Sequence, residues 1–326
     1  MSQRILSNQF IIDLKSGPLN SILVRAKVDR TLLFLIREET VNLYFRGSSL
    51  AKISAGKNGY QVIVDPGYFK YGEEAPLKFP FPIQNIEDAQ VFVRSIPNIK
   101  NAIDLFLSEH PKDEREFQQL VIRDNNENSS ANATDYLICD MEYTHSQYTS
   151  MRFDMIAAHW PSQPAKRKKL DNLELAIIEM KFGDKALQGD GKTTDGAGIL
   201  KHWEDLLESR NHLAFLRLEM EQSTRQLAEL GLLTISEMDR EDRTEKIAFA
   251  DSGVIDWILL LANHDPESEI LLRELERLAL KIRETPDAPY RVKIAVATFM
   301  GYGLFDQGLI PLEDFLVRFR DQVYSK

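Results

Sequence analysis

The chain has 326 residues, 43% apolar and 28% charged, with a formal net charge of −10 and one cysteine. That length holds two domains with real cores, or one large one, and the acidic balance argues against a sticky, strongly basic polyanion binder. With Cys139 alone, an intramolecular disulfide framework and a four-cysteine zinc site are both excluded.

The charge is uneven. Residues 1–110 carry 13 Lys/Arg and 11 Asp/Glu, a net of +2, whereas residues 111–326 carry 27 and 39, a net of −12. The start, Met1-Ser2-Gln3-Arg4-Ile5-Leu6, lacks the apolar stretch of a secretory leader. The longest apolar run, Trp257–Ala262, is too short to span a bilayer. The expectation is a cytoplasmic protein with no membrane partner.

Taken in chain order, residues 1–80 read as a strand-rich, mixed module. Leu32–Ile36, Val41–Phe45, Leu50–Ile53 and Tyr60–Val64 have strand patterns, the last after the hairpin turn Lys57-Asn58-Gly59. Pro76, Pro80 and Pro82 mark 75–84 as an extended connector. Residues 86–109 read as a helix, and Asp113–Arg123 as a second one. Asn125–Ser130 is polar and reads as a loop. A domain boundary near residue 110 divides the chain into an accessory α+β domain (1–110) and a larger domain (111–326).

Strands are then predicted over Tyr136–Tyr143, Arg152–Trp160 and Leu173–Lys181. Gly189-Asp190-Gly191 and Gly196 mark a flexible loop, followed by helical segments to about Gly231. Val254–Ala262 reads as a central strand buried on both faces. Asp265-Pro266 is a plausible helix start, with Leu271, Leu275, Leu278 and Ile282 on one helical face. Arg291–Phe299 reads as another core strand. The expected class is α/β, a mixed central sheet flanked by helices.

Two of these strands carry the chemistry. Asp154 lies in Met151-Arg152-Phe153-Asp154-Met155-Ile156-Ala157, and Glu179 and Lys181 end the run Ala176-Ile177-Ile178-Glu179-Met180-Lys181. Strand alternation puts Glu179 and Lys181 on one face. Two carboxylates beside an amine suit metal-dependent phosphodiester hydrolysis: oxygen ligands for a hard dication and a cation to hold the attacking water. Each feature also has a plainer reading, Asp154 as a strand-end aspartate facing solvent and Glu179–Lys181 as a same-face ion pair.

The order helix, strand, strand with Asp, strand with Glu-x-Lys, helix resembles the PD-(D/E)XK nuclease superfamily, the restriction-endonuclease-like fold, over roughly residues 111–300. Phe153 stands where that family's pattern often has proline. The resemblance implies Mg²⁺ or Mn²⁺ held by Asp154, Glu179 and the Met180 carbonyl, with Lys181 orienting the water. It also implies a glutamate on the preceding helix, for which Glu116 is the first choice and Glu114 the second. Asp140 and Glu142 share a face of the first strand, and Glu142 is the preferred additional metal ligand. Lys185, Gln188, Lys201 and His202 are second-rank phosphate or water contacts. Lys166-Arg167-Lys168-Lys169 is the densest basic run and reads either as a phosphate grip or as a solvated loop.

There is no Gly-x-x-x-x-Gly-Lys-Ser/Thr loop, no Gly-x-Ser-x-Gly elbow and no His-Glu-x-x-His spacing. The resulting expectation is a Mg-dependent nuclease acting on nucleic acid, DNA ahead of RNA, with a homodimer left open. The alternative is a non-catalytic nucleic-acid-binding or protein-interaction module on the same fold.

Overall fold

The computed structural model describes residues 4–72, 74–127, 134–145, 148, 151–188, 198–233, 244–251, 253–265, 267–297 and 301–324. It is a mixed α/β protein with two sheets. Its contacts divide it into two compact units: Met1–Arg123 with Glu219–Ile247, and Asp124–Leu218 with Ala248–Lys326.

The first unit opens with two helices, α1 (Asn8–Lys15) and α2 (Asn20–Val28). Neither helix is placed by the sequence, which reads there only as a mixed, strand-rich module. Their signals are short: Ser7 caps α1 by accepting from the Phe10 amide, and Phe10, Ile11 and Leu14 bury one face. Five antiparallel strands follow in sheet order: β1 (Leu32–Arg37), β2 (Thr40–Phe45), β3 (Ser48–Gly56), β4 (Gly59–Ile63) and β5 (Phe81–Ile83). β5 lies inside the segment expected to be only a connector. Pro82 is tolerated because β5 is an edge strand, paired with β4 alone. α3 (Ile86–Glu109) and α4 (Asp113–Asn126) complete this part of the chain.

The β2–β3 hairpin closes in two residues, Arg46 (φ +49°) and Gly47 (φ +69°), both left-handed. A Cβ on Gly47 would lie 2.3 Å from the backbone carbonyl of Arg115 at the start of α4. Gly47→Ala is therefore expected to cost about 3 kcal/mol, from φ strain plus a backbone shift. Urea denaturation measures it, and a change below about 1 kcal/mol would show that the turn relaxes freely.

The boundary expected near residue 110 lies elsewhere. α4 joins the first unit as far as Arg123, because Arg46 bonds Glu116 and the Gln119 amide bonds the Gly47 N–H and the Thr31 carbonyl. Residues 219–247 join it because Arg4 N–H donates to Glu219 and Gln226 bonds both backbone groups of Leu6. No local sequence pattern announces such returns.

The second unit is built on β6 (Tyr136–Thr144), β7 (Arg152–His159), β8 (Glu174–Phe182), β9 (Ile255–Ala262), β10 (Tyr290–Ala297) and the two-residue β11 (Ile310–Pro311). Its helices are the short α5 (Pro164–Arg167), then α6 (Ile199–Ser209), α7 (Leu213–Glu229, whose second half belongs to the first unit), α8 (Glu269–Arg283) and α9 (Leu312–Tyr324). The sheet order is β11-β10-β9-β8-β7-β6. β6, β7 and β8 pair antiparallel, β8, β9 and β10 parallel, and β11 antiparallel, so the sheet is mixed. Every residue of β9 is buried, as its almost wholly apolar run, interrupted by Asp256 alone, predicts for a central strand. Trp203 of α6 packs on Trp257 of β9, ring centroids 5.5 Å apart.

Three sequence expectations are corrected here. Asn125 and Asn126 are the buried end of α4 rather than loop. Asn126 bonds both backbone groups of Ile138 and so stands in for a missing partner at the β6 edge, while Asn125 bonds the Tyr302 carbonyl and the Leu304 amide, which lie outside the strands. α8 starts at Glu269 under a Ser268 cap, not at Asp265-Pro266. In the basic run, Arg167 is buried over the Trp160 ring and donates to the carbonyls of Trp160 and Thr134. Only Lys166, Lys168 and Lys169 of that run are exposed. Ser129, Ser130, Gly189-Asp190-Gly191, Gly196, Pro266 and Phe299 lie outside the described residues. Among the described residues, no helix is long and apolar enough to cross a membrane.

Candidate active site

The candidate site lies in the second unit, where β7 and β8 begin to part. Their antiparallel register runs from His159↔Glu174 to Met155↔Ile178. One further step sets Asp154 opposite Glu179, on the same face. There the Asp154 side chain replaces the backbone ladder: its Oδ2 accepts from the Met180 N–H at 2.8 Å. In an extended strand a residue's N–H and C=O face the same neighbour, so the Met180 carbonyl is turned toward the Asp154 side.

Glu179 and Lys181 share the other half. Lys181 Nζ donates to Glu179 Oε1 at 2.6 Å, and only 2% of Glu179 and 5% of Lys181 are exposed. His202 of α6 joins them, its Nε2 3.3 Å from the same carboxylate oxygen and 3.4 Å from Lys181 Nζ. The ion pair suggested by the sequence is therefore present, but as a buried one. Two charges removed from water rarely stabilise a fold more than apolar residues of the same volume would. A desolvated acid–amine–imidazole set on half-open strand ends is the kind of arrangement met where chemistry is done.

Two further acids share this region. Met141↔Met155 and Tyr143↔Phe153 bracket Glu142, which thus stands at the register level of Asp154. Glu142 is half-buried and left-handed (φ +50°), a conformation an unbranched acidic residue adopts only where its surroundings enforce it. Asp140 is buried, pairs with Ile156 beyond the irregularity at Ile138/Asp140, and accepts from the Met141 amide at 2.8 Å. Ile156 and Asp154 are two apart on β7, so Asp140 also belongs to the Asp154 face.

The other sequence candidates divide. Glu116 is in the first unit, where Arg46 Nε and Nη2 bond its two oxygens at 2.7 and 2.9 Å. It is thus the ion-pair partner of Arg46. Glu114 is half-buried on α4. Lys201 bonds Asp205 one turn along α6, which raises the affinity of its amine for the proton. Gln188 is exposed after the short turn Asp184–Leu187; Lys185 lies in that turn. His202 is the second-rank candidate that the fold brings into the set.

One residue escaped the sequence reading. The His264 side chain is buried beyond β9; its Nε2 donates to the Lys181 carbonyl at 3.1 Å and its Nδ1 pairs with Asp184 Oδ1 at 2.6 Å. It therefore holds the end of β8 in place. The signal would have been its position: β8 and β9 run parallel, with Lys181 beside Leu261, so a polar residue just after β9 comes out beside Lys181.

Among the described residues, no group of three or more His, Cys, Asp or Glu side chains is gathered to hold a metal ion. The set expected here, Asp154, Glu179 and Glu142 with the Met180 carbonyl, has three carboxylates, and these are not gathered into such a group. Comparison with protein-family models, with curated proteins and with solved structures found no match for this chain.

Proposed function

We propose that the second unit is a metal-dependent nuclease of the PD-(D/E)XK class, on a restriction-endonuclease-like fold, that hydrolyses phosphodiester bonds in DNA. The observation that carries this reading is the buried Glu179–Lys181–His202 cluster beside Asp154. The donor chemistry fits Mg²⁺ or Mn²⁺: Asp154 and Glu179 offer carboxylate oxygens and Met180 a carbonyl, all hard ligands. When bound, such an ion supplies neutralisation of phosphate charge and a more acidic water.

The chain's own residues do the rest. The Lys181 amine, held by Glu179, favours the negative charge that develops on an attacking water. His202, next to both, is placed to accept or return a proton. Asp154 is held in position by the Met180 amide. Glu142 is the proposed additional acid.

The test is cleavage of supercoiled plasmid and single-stranded DNA with Mg²⁺, Mn²⁺ or EDTA, beside Glu179→Ala. The expected result is metal-dependent nicking that falls at least about 10²-fold in the variant, several kcal/mol of lost transition-state stabilisation. Silence with every metal would favour the non-catalytic module.

A further inference from the structure

Helices α8 and α9 of the second unit run antiparallel, tied by two ion pairs. Arg320 Nε donates to Glu276 at 2.7 Å, and Arg283 Nη2 donates to Glu313 at 3.0 Å. Leu280 lies between Glu276 and Arg283 on one helical face, and Val317 between Glu313 and Arg320 on another. The antiparallel register therefore sets Leu280 opposite Val317, midway between the two pairs. We propose that this face is the contact between two copies of the chain. The inference does not depend on the nuclease reading, because no residue of the face belongs to the proposed site.

Apolar surface is the first argument. The inward sides of both helices are already filled, by residues such as Leu275, Leu278, Phe315 and Phe319, all buried. Leu280 and Val317 are extra: 58% and 61% of each is exposed, and Tyr324, two turns beyond Val317, is 72% exposed. Leu280 and Val317 form a continuous strip rather than scattered single residues, and such strips mark contact surfaces.

Charge decides the occupant. Seen from outside, the four charged side chains form a square, with Glu276 and Arg283 along α8 and Arg320 and Glu313 along α9. Like charges sit on its diagonals. A nucleic-acid backbone or a strongly acidic protein would meet two carboxylates as well as two guanidinium groups, so neither fits. A second copy does. A two-fold axis lying in the face and running along the helices lays α8 of one copy over α9 of the other. Glu276 then faces the partner's Arg320, and Arg283 the partner's Glu313, so every acid meets a base. Leu280 meets the partner's Val317. The same axis sets Tyr324 against the partner's Arg273, an exposed guanidinium that can stack on the ring.

Area sets the strength. Two helices about 20 Å long and about 8–10 Å apart offer a face of roughly 400 Å². That is half of the roughly 800 Å² per partner in a standard interface. The expected dimer is weak, with a Kd of about 10⁻⁵ M, and weaker at high salt.

Sedimentation velocity on the full chain in EDTA, over a dilution series that brackets about 10⁻⁵ M, reads the association. Arg283→Glu and Glu313→Arg are each expected to weaken it at least about tenfold, since a reversal acts twice in a two-fold interface. Mixed in equal amounts, the two variants should associate again: one carries acids at both positions and the other bases at both. Leu280→Gln, on the exposed side of α8, tests the apolar centre without touching a charge, and thermal unfolding checks the fold of every variant. A parent dimer that both reversals weaken and the mixture restores supports the proposal. A chain that stays monomeric over the whole series overturns it. So does a dimer that neither the reversals nor Leu280→Gln weaken, and so does a mixture of folded variants that stays monomeric.

Discussion

Lys181→Ala is expected to abolish metal-dependent cleavage and, at the same time, to lower stability by about 3–5 kcal/mol. Both follow from the burial of the pair. The amine is the only cation bonded at 2.6 Å to a carboxylate that is itself 2% exposed among the described contacts of Glu179, with His202 next at 3.3 Å. Removing one partner strands the other charge, and that costs more than the pair contributes. The two effects separate in a double variant. Glu179→Gln with Lys181→Met removes both charges at nearly constant volume, so stability should return to within about 1 kcal/mol of the parent, or exceed it, while cleavage stays absent. Urea denaturation and plasmid nicking on the same preparations read the two quantities. Cleavage retained by folded Lys181→Ala would sink the assignment of Lys181 to the reaction. A double variant as unstable as the single one would mean that the pair is structural.

The second large effect is expected at the other end of the same sheet. Asp256, in β9, is 3% exposed and receives Arg291 Nε at 2.6 Å, Lys293 Nζ at 2.7 Å and the Tyr136 hydroxyl at 2.9 Å. It pairs with Ala176, whereas Lys181 lies beside Leu261, so along the strand the two clusters are about 16 Å apart. Asp256→Ala strands the largely buried Lys293 amine and the Tyr136 hydroxyl, and should cost about 3–5 kcal/mol. Cleavage per folded molecule should not change. A large loss of cleavage in the folded fraction would show that this cluster reaches the reaction.

The same aspartate sets an expected pH dependence. Burial by itself would raise the Asp256 carboxyl, but the hydrogen bonds and charges of Arg291 and Lys293 outweigh burial and hold it below the ordinary carboxylate range. A depressed folded value means that the stabilisation is complete above the unfolded value, about 3.9, and is lost as pH falls through the folded one. Wild-type stability should therefore fall on acidification below about pH 4, and Asp256→Asn should flatten part of that fall. Thermal unfolding between neutral pH and the acid limb measures the difference.

These two clusters show how unevenly sequence and structure share the information. Glu179 and Lys181 were legible because both sit on one strand, where a period of two puts them on one face. Asp154 was legible as the polar interruption of a neighbouring apolar strand. Asp256 was not, since one acid in an otherwise apolar run gives no hint that Arg291, Lys293 and Tyr136 converge on it. His202 was legible only as a histidine on a helix. Its approach to Glu179 needs the packing of α6, and the role of His264 needs β8 and β9 to run parallel. The partner of Glu116 was not legible either: helix α4 was placed well, but Arg46 lies 70 residues earlier in the chain.

By itself, then, the sequence determined what repeats over a few residues. Strand alternation, the apolar run of β9 and the span of α3 follow from local side-chain period and are decided by which face must be buried. The tertiary structure alone decided what depends on contacts distant in the chain. It returned residues 219–247 to the first unit, buried Asn125, Asn126 and Arg167, and gathered His202 and His264 around Lys181. The physical reason is that a buried polar group must find a partner wherever the fold supplies one, and neither its own position nor its neighbours in the chain say where that will be.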